Sequence, residues 1–247
     1  MNEFKHPFLD SVIQADYLAS TMEKAEELIE KNKITGNFLI IADKQNRGVG
    51  RKGNKWYSPQ GGLWFSLGIY GFSFASNFTL FCGIQILQAL ESLLQDAKIS
   101  GKIKWPNDIY LNDRKTAGII VKHFPRSNYY IIGIGINTNL DKFPAELQNT
   151  ATSIKLETRA DISHQSLITC ILDNLSNNLP EYLSEYKIDE AYFNNHDYLK
   201  DRTITISTEF ADYKGKYHGI SPSGAIQIKL SNGAIQPFYA GKIAIIS

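Results

Sequence analysis

The chain has 247 residues, 43% hydrophobic and 21% charged, with 13 Phe, 13 Tyr and 3 Trp. That is enough apolar material for one large core, or a core with a small satellite, so disorder is excluded. Lys and Arg number 26 against 25 Asp and Glu, a formal charge of +1, which excludes a polyelectrolyte drawn as a whole to nucleic acid or to an anionic membrane; any basic site is local.

The first ten residues include Glu3, Lys5, His6, Pro7 and Asp10 and hold no apolar h-region, so no secretory signal is expected. No uncharged apolar run reaches membrane-spanning length, and no helix-turn-helix fits ahead of Ser20. Residues 20–33 read as an amphipathic helix, with Ser20 and Glu23 as a capping-box pair and Met22, Ala25, Leu28 and Ile29 on one side. Residues 38–42 and 63–70 read as strands, separated by a polar loop rich in glycine and basic residues. Residues 78–97 read as a buried helix with Asn77 as N-cap. Strands at 102–105, 109–111, 116–121 and 129–136 follow in a meander, so the sheet is largely antiparallel. Residues 163–186 are helical by period, with Pro180 a break or restart.

Beyond Leu199 the pattern changes to short strands at 203–207, 213–220, 225–230, 235–239 and 242–246, with turns at Ser221-Pro222-Ser223-Gly224 and Asn232-Gly233. That is the punctuation of a small β-barrel, and a domain boundary is expected near residue 199. The two cysteines, Cys82 and Cys170, lie far apart in apolar stretches and read as free buried thiols in a reducing cytoplasm. The five His are scattered without zinc-site spacing, so a structural metal is not expected.

Three segments could carry chemistry. Gly48-Val49-Gly50-Arg51-Lys52-Gly53 satisfies G-x-G-x-x-G after a strand, but Asn54-Lys55-Trp56-Tyr57-Ser58-Pro59 cannot continue as the helix a dinucleotide site needs. What remains is a loop with Lys44, Arg47, Arg51, Lys52 and Lys55 and no acidic residue through Gln60. It reads equally as an anion-binding loop, with backbone N–H groups and an Arg fork, or as a solvated hairpin whose charges keep an edge soluble. Lys104-Trp105-Pro106-Asn107-Asp108 presents an amide and a carboxylate at a strand end, suited to a nucleotide's polar edge or its magnesium, and Lys115 on the return strand can reach the same place. The plain alternative is a tight turn with a surface lysine. In Gly133-Ile134-Gly135-Ile136-Asn137, Thr138 stands where a third dinucleotide glycine would be, so the glycines read as permitting close packing against a ligand or helix.

Taken in order, Ser20-Thr21-Met22, the glycine loop through Trp56, Lys104 to Asp108 with Arg114-Lys115, and Gly133 to Asn137 closely resemble the biotin protein ligases, over nearly the whole chain. Ala151-Thr152-Ser153 and the β-rich tail are also similar to that family, and the form resembled is the one without an N-terminal winged helix. The resemblance implies an α+β fold of the class II aminoacyl-tRNA synthetase and biotin/lipoate ligase type: a mostly antiparallel sheet flanked by helices over residues 1–199, and a small SH3-like β-barrel over 200–247. It implies a cytoplasmic enzyme that makes biotinyl-5′-adenylate from biotin and ATP-Mg2+, then passes biotin to one lysine of a biotin carboxyl carrier domain. It implies neither DNA nor membrane as a partner, and it allows a homodimer through the sheet edge.

By the same resemblance Lys115 contacts both the biotin carboxyl and the α-phosphate, and Arg51 orders the glycine loop over the ligand. Ser20, Thr21 and Gln45 bind the ureido ring, with Met22, Gly48, Val49, Gly50 and Gly118 completing the biotin site. Lys52, Trp56, Asn107, Asp108 and Asn137 join Arg51 and Lys115 on the ATP side. Asp108 is also the expected magnesium ligand and the base for the acceptor lysine. The chain departs from the family at Ala19 and Met22, where Asp and Asn are common, at Val49, where Arg is common, and at Lys122, where an acid is usual; these changes would tune affinity. Two rivals remain: a lipoate-protein ligase, whose Arg-Arg-x-x-Gly-Gly-Gly signature is missing, and a non-catalytic biotin or adenylate sensor.

Overall fold

The computed structural model describes residues 4–95, 97 and 99–246. Seven strands form the first sheet: β1 (Ser11–Ala15), β2 (Phe38–Ala42), β3 (Leu63–Tyr70), β4 (Gly101–Lys104), β5 (Asp108–Leu111), β6 (Arg114–Phe124) and β7 (Tyr129–Ile136). Their order is β1-β2-β3-β7-β6-β5-β4. Every pairing is antiparallel except β1 with β2, so the expected antiparallel meander stands, with one short strand, β1, added ahead of the first helix.

Side-chain alternation divides the sheet into two faces. Phe38 and Ile40 of β2, with Tyr129 and Ile131 of β7, cover one face and pack on α1 (Thr21–Glu30) through Met22, Ala25, Leu28 and Ile29. Leu39, Ile132, Ile134 and Ile136 point to the opposite face, against α2 (Phe78–Leu93) and α4 (His164–Glu185). Short helices α3 (Ile154–Thr158) and α5 (Glu190–His196) were not expected from the sequence.

Several local expectations need correction. Asn77 does not cap α2: its backbone is already helical, and its side chain donates to Tyr186 O (2.8 Å) and Pro222 O (2.9 Å) while accepting from the Tyr182 hydroxyl. The helix ends at Leu93 rather than 97, and residue 96 lies outside the described residues. Pro180 neither breaks nor restarts α4, which runs through it to Glu185. The capping box of α1 is half made: Ser20 Oγ accepts from Glu23 N, but the Glu23 carboxylate turns to Arg47 at 2.8 Å. Cys82 is buried and free, whereas Cys170 is only half-buried.

The second sheet comprises β8 (Thr203–Ser207), β9 (Asp212–Ile220), β10 (Ile226–Lys229), β11 (Ile235–Phe238) and β12 (Lys242–Ile245) in the order β11-β10-β9-β8-β12, all antiparallel. β11 and β12 are its two edges, and no ladder joins them into a closed barrel among the described residues. Its core residues Ile204, Ile206, Ile226 and Ile228 are continuous with those of α2 and the first sheet. Trp105 Nε1 donates to Gly224 O (2.8 Å) across the junction.

Candidate active site

On the α1 side of β7, Tyr129 and Ile131 give way to Gly133 and Gly135, and Gly135 pairs with Gly118 of β6. At the Gly118–Gly135 pair, β6 and β7 therefore present bare backbone on this face. A Cβ at Gly133 would meet Met22 Sδ at 2.4 Å, and one at Gly135 would meet Trp56 Nε1 at 2.5 Å. The result is a cleft of about 480 Å3 floored by backbone, the close approach the sequence assigned to these glycines.

One end of the cleft is polar. Thr21 N donates to Gln45 Oε1 (2.7 Å), Gln45 Nε2 donates to Ser58 Oγ (3.1 Å), and Ser66 Oγ donates to Thr21 Oγ1 (2.8 Å). Ser20 Oγ and Thr21 Oγ1 each accept a bond, so each hydroxyl keeps a proton to donate, and both residues line the cleft. The base of the glycine loop is latched to the same end by Arg47 N donating to Ala19 O at 2.8 Å. Further along, the loop forms a Val49–Lys55 bridge, and a 3-10 turn, Arg51–Gly53, places Lys52 in the left-handed region (φ 55°).

The charged end is assembled from two directions. Arg51 descends from the loop and donates to Asn107 Oδ1 (3.1 Å), while Asn107 Nδ2 donates to Ile119 O (2.9 Å). Burial pulls the Arg51 guanidinium below its ordinary pKa and Asp108 opposes that; an arginine there stays charged. Lys115 arrives from β6, with Nζ 2.7 Å from Asp108 Oδ1 and 5.0 Å from the Trp56 ring centroid. Asp108 Oδ1 is buried, and the Lys115 ammonium 2.7 Å away is its partner. Trp56 Nε1 is buried without a hydrogen-bond partner. That indole N–H points to a ligand that would satisfy it.

The description of the biotin/lipoate A/B protein ligase family matches residues 15–139, half of the chain. The chain belongs to that family. This ligase is 30% identical over 244 residues to the bifunctional ligase/repressor BirA of Bacillus subtilis, covering 95% of this chain and 74% of that relative. It is 28% identical to BirA of Escherichia coli, over 84% of this chain and 66% of the relative. Among solved structures, biotin protein ligase from Aquifex aeolicus in complex with biotin and ATP is 27% identical, with TM-score 0.84 over 96% of this chain and 99% of that one. The α+β ligase fold expected from the sequence is therefore the one observed.

In this ligase Ser20, Thr21, Met22, Gln45, Val49, Gly50, Arg51, Lys52, Trp56, Asn107, Asp108, Lys115, Gly118 and Asn137 all line the cleft. Gly48 does not: it sits buried behind the loop, its carbonyl accepting from Trp56 N (2.8 Å), where a Cβ would strike Ser58 Oγ. Asn137 is buried, with Nδ2 donating to Thr152 O (3.0 Å), so its amide fastens the wall around Lys115. Sequence reasoning gave no role to Lys104, which also lines the cleft; burial pulls its amine below the ordinary value while Asp108 opposes. Nor did it find Lys242 and Ile243 of β12 and the preceding Gly241, which reach the cleft only through the tertiary fold. Among the described residues no three His, Cys, Asp or Glu gather as a metal cluster. A single cleft carboxylate, Asp108, suits Mg2+ that arrives with a nucleotide, since that ion takes one or two carboxylates plus phosphate oxygens.

Proposed function

We propose that this ligase activates biotin as biotinyl-5′-adenylate and transfers it to a lysine of a biotin carboxyl carrier domain. The observation that carries the reading is that Arg51 and Lys115, from separate segments, enter one cleft whose other end offers the Ser20 and Thr21 hydroxyl protons. Hydroxyl donors suit the ureido oxygen of biotin and have no counterpart in the dithiolane of lipoate. The similarity to ligases crystallised with biotin and ATP supports the same assignment.

In the first step a biotin carboxylate oxygen attacks the α-phosphorus of ATP, and the bond to pyrophosphate breaks. The barrier is the approach of two anions, and cations held beside the attacking and equatorial oxygens lower it. Lys115 leaves Asp108 for these oxygens, while Arg51, anchored on Asn107, holds the loop across the ligand. Asp108 would hold the magnesium that comes with ATP, which neutralises phosphate charge. In the second step the acceptor ε-amine attacks the carbonyl carbon, AMP leaves with the bonding pair, and Asp108 takes the amine's proton. That amine is mostly ammonium at neutral pH, so a base is required.

We also assign residues 200–247 as a second sheet unit packed onto the first through a common core, a reading supported by strands that pair only with one another. Free Cys82 and the need for ATP fit a cytoplasmic setting, and no helix among the described residues is long and apolar enough to cross a membrane. The test is incubation with biotin, labelled ATP and a carrier domain, with lipoate as competitor. Biotin-dependent AMP release together with lysine-linked biotin is expected; lipoate transfer in preference, or binding without AMP release, would reject the reading in favour of one of its rivals.

A further inference from the structure

Lys115 emerges from an irregular stretch of β6. Ile109 of β5 pairs with Ala117 and Tyr110 pairs with Lys115, so Thr116 is an extra residue in the ladder. A bulge re-aims the side chains beside it and leaves the strand with fewer partners. Here the missing partners come from a strap at residues 150–152: Lys115 N donates to Thr150 O and Thr152 N donates to Lys115 O, both at 2.9 Å.

The strap is in turn fastened by Glu157 of α3. Its side chain is 7% exposed and accepts from Thr152 Oγ1 (2.5 Å), Asn112 Nδ2 (2.7 Å) and Arg114 NH2 (2.6 Å). Those donors come from the strap, from the β5–β6 turn and from the residue preceding Lys115. Burial works to raise the Glu157 pKa, but the Thr152 and Asn112 bonds and the Arg114 charge outweigh it, and the group is held below the ordinary carboxylate value. A buried carboxylate persists only when its lone pairs are filled, and this one fills them by tying together the pieces that carry Lys115.

We infer that Glu157 is a positioning residue for adenylate formation: its carboxylate locks the β5–β6 turn to the strap and thereby fixes the direction in which the Lys115 amine leaves the bulge. It touches no substrate. The inference rests on the role given to Lys115 above. A misplacement of about 1 Å at a reacting group costs on the order of a hundredfold in rate, so loss of the clamp acts on turnover more than on ligand affinity.

The test compares the parent chain with Glu157→Gln, Thr152→Val and Lys115→Ala in biotin-dependent ATP–pyrophosphate exchange, with biotin Kd from calorimetry and thermal unfolding for each. Glu157→Gln is expected to lower kcat by about ten- to a hundredfold with biotin Kd within about twofold of the parent, at a temperature where it is fully folded. Thr152→Val removes one donor with little change of shape and is expected to shift kcat in the same sense by less; it decides the matter if Glu157→Gln does not fold. Parental kcat in a folded variant overturns the inference, and so does a kcat loss matched by a loss of biotin affinity. If Lys115→Ala is inactive while the Glu157 and Thr152 variants are normal, only the inference fails. An active Lys115→Ala overturns the reading on which it rests.

Discussion

Lys115 sits at the meeting point of the charged side chains in the cleft. Its amine sits 2.7 Å from Asp108 and rests over the face of Trp56, with Lys104 and Arg51 also drawn to the same carboxylate. Cations gathered round one carboxylate leave a positive cleft once Asp108 is engaged elsewhere, which is the environment two approaching anions require. Replacing Lys115 by Ala removes charge that matters most in the transition state, so single-turnover adenylate formation is expected to slow by about 100- to 1000-fold while biotin binding stays measurable. A variant that makes adenylate at the parental rate would remove Lys115 from the chemistry. Lys115, Arg51, Asn107 and Asp108 were legible in the sequence because short strings carry them between recognisable strands. Glu157 was not, because two of its partners, Asn112 and Arg114, lie on the distant β5–β6 hairpin and no local pattern links them to it.

At the scale of elements, strand alternation decides where the cleft lies. β7 spends its apolar side chains on both faces until residue 132, then places glycine at each position facing the cleft. Gly135→Ala would drive a methyl group to 2.5 Å from Trp56 Nε1, and overpacking of this kind costs about 1–3 kcal/mol. The indole is the part that can move, so the cost is expected mainly as weaker nucleotide binding. A rise of roughly tenfold in the KM for ATP, with thermal stability little changed, is the outcome to look for in steady-state assays; an unchanged KM would mean that Trp56 does not border the nucleotide. The strands and long helices were readable from period and composition. Asn77 misled because it occupies a helix start yet serves three partners across the fold, and Pro180 misled because a long helix packed on α2 tolerates one missing N–H. β1, α3 and α5 are short, and tertiary packing rather than local preference settles them.

At the scale of the molecule, the two sheets share one apolar core, and the second lends Lys242 and Ile243, with the preceding Gly241, to the rim of the cleft. The Trp105–Gly224 bond places that junction within the same segment that carries Asn107 and Asp108. Sequence reasoning separated the two regions by composition but could not supply their packing, because such contacts leave no periodic trace. The arrangement as a whole brings a glycine-loop arginine and a hairpin lysine to one cleft. The most direct measurement is a crystal structure of the chain with a non-hydrolysable biotinyl-adenylate analogue. The Arg51 guanidinium and the Lys115 amine should both lie within about 3 Å of oxygens of the acyl-phosphate group or its substitute, with Lys115 withdrawn from Asp108. An analogue bound in the cleft with either cation turned away from that group would contradict the account.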